Sequence, residues 1–181
     1  MKALLVRILS VAILAVVPIC GSVQAAAEDT PKPSAETMEY LREGSAFYLQ
    51  HQFKEAIGPY ARALELEKKQ ATLDRTFWRV LIDNLGMAYG MTGDLAKAKE
   101  TFEYGLTKDK TYPMFYYNLA CTYAEMNDLD GAIANLRLGY KYKDNVIAGE
   151  QFPDPATDDS FQRFMKNERF LQALHEMQAA K

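Results

Sequence analysis

Apolar residues recur every three or four positions along most of the chain, which is the spacing of an amphipathic helix. The clearest stripe lies over residues 80–91, and a second one follows over residues 95–106. Between the stripes, Gly93 and Asp94 form a stop signal, because glycine closes a helix in the left-handed conformation and aspartate caps the next one. The pattern therefore predicts a helix-turn-helix hairpin.

A second hairpin with the same pattern follows 34 residues further along the chain. Pro113 suits the first turn of its first helix, where a missing N–H costs nothing, and Asn127 and Asp128 favour its turn through local hydrogen bonds. The repeated pairs are Leu85 and Leu119, Gly86 and Ala120, Tyr89 and Tyr123, Ala98 and Ala132, and Phe102 and Leu136. A fixed period of this length indicates that one supersecondary unit has been copied.

An earlier unit shows the same pattern at a longer step. At a separation of 42 residues, Gly44, Phe47, Ala56, Tyr60 and Ala63 match Gly86, Tyr89, Ala98, Phe102 and Gly105. The eight additional residues fall around positions 66–76, where we expect longer helices or an added turn. Ser34 stands where a cap would begin the first helix. Pro59 is expected to kink the second helix slightly, because an interior proline removes a hydrogen bond.

These units resemble the tetratricopeptide repeat, in which a small residue and an aromatic residue precede a turn, and alanine and aromatic residues follow in a second helix. The stretch from Asn84 to Tyr89, followed by Gly93 and Asp94, is close to the family pattern, and so is the stretch over residues 118–123. The departures from that pattern are Gly105 and Gly139 in place of alanine, and Lys110 in place of the terminal proline.

The resemblance covers about residues 37–142 and implies three units, at about 37–70, 79–112 and 113–146. The fold it implies is all-α, a right-handed solenoid of antiparallel helix-turn-helix hairpins. Residues 143–181 resemble the terminal segment of many bacterial tetratricopeptide proteins. Within that segment, a loop over residues 149–156 is expected to lead to a cap on the apolar end of the last hairpin, formed by Phe161, Phe164, Phe170 and Leu174.

The N-terminal residues are typical of a secretory signal peptide. Two cations precede an apolar run over residues 8–17, and cleavage is expected near Ala25 or Ala27. The run is shorter than the roughly 20 residues that span a bilayer. We therefore expect a cleaved signal (1–25), a flexible leader (26–36), no stable membrane insertion, and a periplasmic or secreted protein. The alternative is a retained signal that tethers the chain to the membrane as an accessory subunit of an envelope complex.

Charge and cysteine content narrow the possible partners. The chain has 181 residues with a net charge of −3, which becomes −5 once the two cations of the signal are removed. An acidic chain without a basic stripe is a poor partner for nucleic acid. After cleavage Cys121 is the one remaining thiol, so we expect no internal disulfide and a packed, unreactive thiol.

The titratable residues form no recognisable catalytic or metal-binding motif. His51 and His175 are the two histidines, and each stands apart from any paired ligand spacing. Asp158 and Asp159 are expected to begin a closing helix, where negative charge suits the helix dipole. We therefore predict a protein that is not an enzyme, with no catalytic residue, cofactor or metal. The alternative of another class is an enzyme with an unrecognised site.

The tetratricopeptide resemblance also implies where a partner would bind. Tyr60, Tyr89 and Tyr123 occupy aromatic core positions of the repeat, whereas in this family the first helix of each unit lines a concave groove. The residues that this mapping places in the groove are Leu41, Ser45, Tyr48, Asp83, Asn84, Met87, Met91, Tyr117, Asn118, Cys121 and Glu125. Methionine and tyrosine make an adaptable surface for peptides. Ordinary packing between helices accounts for such a set equally well.

One known use of such grooves is absent from the sequence. Asn84 matches the central asparagine of the carboxylate clamp with which some of these domains grip chaperone C-termini. Leu41, Ser45, Pro113 and Tyr117, however, stand where that clamp needs other polar and cationic residues. The resemblance therefore implies a non-catalytic scaffold or adaptor in a bacterial envelope, which binds another peptide or helix in its groove.

Overall fold

The computed structural model describes residues 32–179 of the chain. The expected signal peptide (1–25) and the larger part of the expected leader (26–36) lie outside the described residues. The first helix begins at Ala35, so the last two residues of that leader belong to the helix. None of the helices within residues 32–179 is long and apolar enough to cross a membrane.

Six helices form three consecutive antiparallel hairpins, each closed by a turn of three residues. The helices are α1 (Ala35–Leu49), α2 (Phe53–Lys69), α3 (Arg75–Met91), α4 (Leu95–Lys108), α5 (Pro113–Glu125) and α6 (Leu129–Lys141). Between hairpins, α2 packs against α3 and α4 packs against α5. The described chain is thus an all-α stack of helical hairpins, which confirms the predicted fold class.

The helix ends form where the local capping signals predict them. Ser34, Asp94 and Asp128 each accept a hydrogen bond from the amide three residues further on, at 3.0, 3.2 and 2.8 Å. These bonds satisfy amides that have no partner within the helix. Gly93 and Asn127 have positive φ angles of 85° and 61°, the left-handed conformation that ends α3 and α5.

Seven of the eight additional residues of the first step lengthen the two helices that meet between the first and second hairpins, and the eighth lengthens the connection between them. The length of α2 is 17 residues against 14 for α4, and that of α3 is 17 residues against 13 for α5. Helix α2 continues through Pro59, its seventh residue. Helix α3 therefore begins with an additional turn over residues 75–78, and Arg79, discussed below, directly follows it.

Two groups of buried side chains hold the stack together. Tyr60 and Phe102 lie among the fully buried residues of the first group, which joins the first two hairpins to α5. Tyr89 and Tyr123, which the repeat pattern placed in the core, are only partly buried. Both rings pack against that group, as predicted, but neither is fully buried, and a lysine ammonium of α4 lies over the face of each.

The second group joins the last hairpin to the C-terminal segment. That segment contains two 3-10 helices, Pro155–Thr157 and Asp159–Phe164, and the helix α7 (Glu168–Ala179), which packs against α6. Phe161 and Phe170 are fully buried and stack with their ring centroids 5.7 Å apart. Phe164 and Leu174 are buried in the same group, together with Leu136 of α6. The C-terminal segment therefore covers Leu136 and the other apolar side chains of the last hairpin that belong to this group.

Candidate binding groove

A groove of about 1220 Å³ is lined by α1, α3 and α5, the first helices of the three hairpins. The segment from Glu150 to Ser160, which follows the last hairpin, also lines it. Small-molecule pockets have volumes of roughly 300–1,000 Å³. The groove is therefore large enough for a segment of polypeptide.

All of the residues that the sequence assigned to the groove line it, but not in the same way. Leu41, Tyr48, Tyr117 and Asn118 lie beneath its surface, each with 7% or less of its area exposed. For these four, packing between helices explains the position. The partly exposed residues are Ser45, Asp83, Asn84, Met87, Met91, Cys121 and Glu125.

Two of the partly exposed polar residues are already engaged by a buried tyrosine. The Tyr60 hydroxyl donates a hydrogen bond to Ser45 Oγ at 3.1 Å and accepts one from Asn84 Nδ2 at 2.9 Å. Burial raises the pKa of Tyr60 to about 12, although both hydrogen bonds oppose the shift. This chain links α1, α2 and α3, so Ser45 and Asn84 position the helices of the groove.

Asp83 is the least compensated charge among the residues that the sequence assigned to the groove. Its Oδ1 accepts a hydrogen bond from Asn118 Nδ2 at 2.7 Å, and no cation of the described chain pairs with it. Burial, together with the nearby Glu150 carboxylate, raises the pKa of Asp83 to about 7. The carboxylate therefore changes charge near neutral pH.

The segment after the last hairpin is fixed to the groove by two buried tyrosines. The Tyr112 hydroxyl donates to both carboxylate oxygens of Glu150 at 3.0 Å, and the Ile147 amide donates to the same carboxylate at 2.9 Å. The Tyr117 hydroxyl donates to Asp158 Oδ2 at 2.9 Å. Burial, and then neighbouring acidic groups, raise the pKa of both tyrosines, which therefore remain donors.

Cys121 lies beside this second contact, with its sulfur 3.9 Å from Asp158 Oδ2. Burial first, and then the negative charge of Asp158, raise the pKa of the Cys121 thiol well above its ordinary value. A thiolate is the reactive form of cysteine. The environment therefore favours the unreactive thiol.

The charged residues of the groove are mostly acidic. Six carboxylates line it, whereas its cations are limited, within the described chain, to Arg42 of α1. Glu125 pairs with Arg163 at 2.8 Å. The other five form no ion pair within residues 32–179, and they are Asp74, Asp83, Glu150, Asp154 and Asp158.

Glu150, Asp154, Asp158 and Phe152 are lining residues that the sequence analysis did not assign to the groove. They lie beyond the last repeat, where no period relates them to the other helices. The signal that could have found them is the density of acids around Pro153 in a segment expected to pack against the last hairpin. A cap on the last hairpin brings such a segment near α5.

No group of three or more histidine, cysteine, aspartate or glutamate side chains within residues 32–179 is arranged to hold a metal ion. His51 lies in the turn between α1 and α2, and His175 lies on α7. Neither histidine lines the groove. The residues that line the described groove supply charged, hydrogen-bonding and apolar groups.

Comparisons with known proteins identify the architecture. No protein-family model matches the chain, and no curated protein matches it in sequence. Among solved structures, the crystal structure of the Sgt2 TPR domain from Aspergillus fumigatus is similar to it, with a TM-score of 0.55 and 21% sequence identity. The likeness covers 81% of this chain and 82% of that one. The chain has a tetratricopeptide-repeat fold.

The groove of this tetratricopeptide-repeat fold differs from a carboxylate clamp in its polar residues. Asn84, which matches the clamp by position, directs its amide to Tyr60. No lysine is among the described residues that line the groove. An anionic chain end would therefore enter a groove whose charged residues are mostly carboxylates.

We expect Asp83→Asn to stabilise the protein at neutral pH by on the order of 1 to 3 kcal/mol. One pKa unit corresponds to about 1.4 kcal/mol, and the partial exposure of Asp83 reduces the effect. Between the unfolded pKa of 3.8 and the folded pKa of about 7, the folded state holds a proton that the unfolded state has released. Stability from this group is therefore lost progressively as the pH rises from 3.8 to about 7, and the loss is complete above that pH.

Urea unfolding of the wild type and of Asp83→Asn across this pH range measures the difference directly. The gap between the two free energies of unfolding should be small near the unfolded pKa of 3.8 and complete above the folded pKa of about 7. A gap that does not change with pH would contradict the assignment.

Proposed function

We propose that this protein is a non-catalytic interaction scaffold whose groove holds a peptide or helix of a partner protein. The observation that carries the proposal is the open groove of about 1220 Å³, in which partly exposed apolar side chains alternate with carboxylates. The fold supports the proposal because stacked hairpins present a continuous concave surface.

The apolar contacts in the groove come from several helices. Met38 of α1, Met87 and Met91 of α3, and Met114 of α5 all line it, and each is partly exposed. Unbranched methionine side chains adapt to different apolar partners. Leu49 adds a further apolar group with 48% of its area exposed. These side chains would pack against the apolar face of a bound segment.

The cellular setting is part of the same proposal. The N-terminal residues have the pattern of a signal peptide, and we infer that the scaffold works in the envelope of a bacterium or outside the cell. The partner would then be another exported protein or the exposed part of a membrane protein. A retained signal would make the chain a tethered accessory subunit instead.

Site-specific photocrosslinking in cells tests the groove. A benzoylphenylalanine residue in place of Met87 reports on the groove, and the same residue in place of Met126 is the control. Met126 lies in the turn between α5 and α6, has 39% of its area exposed and does not line the groove. We expect covalent adducts with a protein partner from position 87 that are missing from position 126.

The protein recovered from the same cells also tests the cellular setting. The mass of its N-terminal peptide shows whether the chain begins after Ala25 or after Ala27. Identical adducts from the two crosslinking positions would overturn the groove assignment. An intact N-terminus on the exported protein would replace the free scaffold with the tethered one.

A further inference from the structure

We propose that the segment seated in the groove is cationic, a peptide or helix that carries lysine or arginine beside apolar side chains. This inference rests on the proposed function and adds the chemistry of the occupant to it. It follows from where the unpaired carboxylates lie, which groups they contact, and which apolar residues line the same groove.

The first pair of carboxylates is Asp83 on α3 and Glu150 in the segment after α6. Both residues line the groove, and the Glu150 carboxylate, after burial, helps to raise the pKa of Asp83. Their hydrogen bonds come only from neutral donors, namely the Asn118 amide, the Tyr112 hydroxyl and the Ile147 amide. Like charges held together without a counter-charge favour the arrival of a cation.

A third unpaired carboxylate, Asp158, lies at the start of the second 3-10 helix. It too is bonded only to neutral groups, among them the Tyr117 hydroxyl at 2.9 Å and the Ser160 amide at 2.9 Å. The acidic groups therefore come from α3, from the loop after α6 and from the C-terminal segment. Their convergence on one groove is a property of the fold and not of one acidic run in the sequence.

The cations of the neighbourhood are already used elsewhere. Arg79 lies over the ring of Tyr112, with 4.3 Å between its guanidinium carbon and the ring centroid, but its charge is paired with Asp109 at 2.9 Å. Arg163 is paired with Glu125. The exposed Arg42 remains as a single cation against five unpaired carboxylates of the described groove.

Apolar residues share the groove with these charges, so the occupant that fits it is apolar as well as cationic. Met87 and Met91 lie on the same helix as Asp83, one and two turns further on, and face the same groove. An amphipathic segment could place apolar side chains on the methionines and cationic side chains beside the carboxylates. A second copy of this chain is a poorer occupant, because it carries a net negative charge itself.

Fluorescence anisotropy with synthetic peptides tests the charge of the occupant. The probe is an amphipathic peptide with leucine on one face and lysine on the other, and the two comparison peptides carry glutamine or glutamate in place of lysine. At low ionic strength the full-length exported protein should bind the lysine peptide about tenfold more tightly than the glutamine peptide. Added salt should reduce this difference, because it screens the charges.

A pair of matched double variants locates the effect in the groove. Asp83→Asn with Glu150→Gln removes two carboxylates of the groove and keeps an oxygen acceptor at each position. Glu100→Gln with Glu103→Gln removes two exposed carboxylates of α4 that do not line the groove. The groove variant should lose about tenfold in affinity for the lysine peptide and keep its affinity for the glutamine peptide. The α4 variant should keep both affinities, and circular dichroism checks that each variant is folded.

Each other outcome decides against the inference in a distinguishable way. The lysine and glutamine peptides could bind with equal affinity, and Met87→Lys could abolish the binding of both. That result would leave the scaffold function standing and overturn the charge preference. If the two double variants lost equal affinity for the lysine peptide, the preference would come from the net charge of the protein. That result would overturn the assignment of the binding site to the groove. Dimers that dissociate in the groove variant would make a second copy the occupant. Failure to bind any of the peptides would overturn the inference together with the proposed function.

Discussion

Replacing Arg79 with alanine should lower the free energy of unfolding by about 3 kcal/mol, the largest loss that we expect from removing one charged side chain of this protein. Arg79 Nε donates to Asp109 Oδ2 at 2.9 Å, and both side chains are less than 10% exposed. Without Arg79, a buried carboxylate keeps its charge but loses a partner. The ring of Tyr112 also loses the guanidinium that lies against it. Urea unfolding followed by circular dichroism measures the loss.

The control for this prediction lies one turn earlier on the same helix. Arg75 Nε donates to the same oxygen of Asp109, also at 2.9 Å, but the Arg75 side chain is 64% exposed. Exposed ion pairs contribute about 1 kcal/mol or less. We therefore expect Arg75→Ala to cost much less than Arg79→Ala. Equal losses would show that burial is not what makes the Arg79 contact strong.

The pH dependence of the Arg79 contact has the opposite sign to that of Asp83. Burial alone would raise the pKa of Asp109, but hydrogen bonds from Arg75, Arg79 and Thr111 outweigh it and hold the pKa well below its usual range. The stabilisation is therefore present above the ordinary aspartate pKa of 3.8 and is lost as the pH falls through the lower folded value. The loss on Arg79→Ala should accordingly shrink in strong acid.

Arg79 also connects the stability of the fold to the shape of the groove. Its Nη1 donates to the Asn145 carbonyl at 3.1 Å, and Asn145 lies in the loop after α6 that carries Glu150. Tyr112, packed under the guanidinium, holds that carboxylate through its hydroxyl. In a folded Arg79 variant, Glu150 should therefore be held less rigidly. We expect such a variant to bind a cationic peptide more weakly.

The hairpins could be predicted from the sequence because the signals that form them are local. Gly93 adopts the left-handed conformation, and the caps at Asp94 and Asp128 act within three residues. The repeat then related each hairpin to the next. Tyr89 and Tyr123 show the limit of that inference, since both rings pack against the first group of buried residues and yet remain partly exposed.

The part of the groove that the C-terminal segment forms could not be predicted in this way. The side formed by α1, α3 and α5 follows from the family pattern, and Met87 and Met91 were found there. Glu150 and Asp158 reach the groove through tertiary hydrogen bonds to Tyr112 and Tyr117, which lie 38 and 41 residues away in the sequence. Such contacts cannot be predicted from residue spacing, because the segment that makes them does not belong to the 34-residue repeat.

Gly86→Ala should lower the free energy of unfolding by about 2 to 3 kcal/mol, and the melting temperature by roughly 5 to 10 °C. A Cβ atom at Gly86 would lie 2.5 Å from two ring atoms of Phe102, which is 1% exposed and has no room to move. Gly90, one turn later on α3, is the matched control, because its Cβ would meet only the Ala98 methyl at 3.9 Å. There the same change should stabilise the helix by about 0.5 to 1 kcal/mol, since alanine is the better helix former.

The third hairpin supports this explanation: it has Ala120 and Leu136 at the corresponding positions, a larger residue on α5 opposite a smaller one on α6. Phe102→Leu should therefore recover part of the loss caused by Gly86→Ala, and a double-mutant cycle with strictly additive losses would contradict the direct contact.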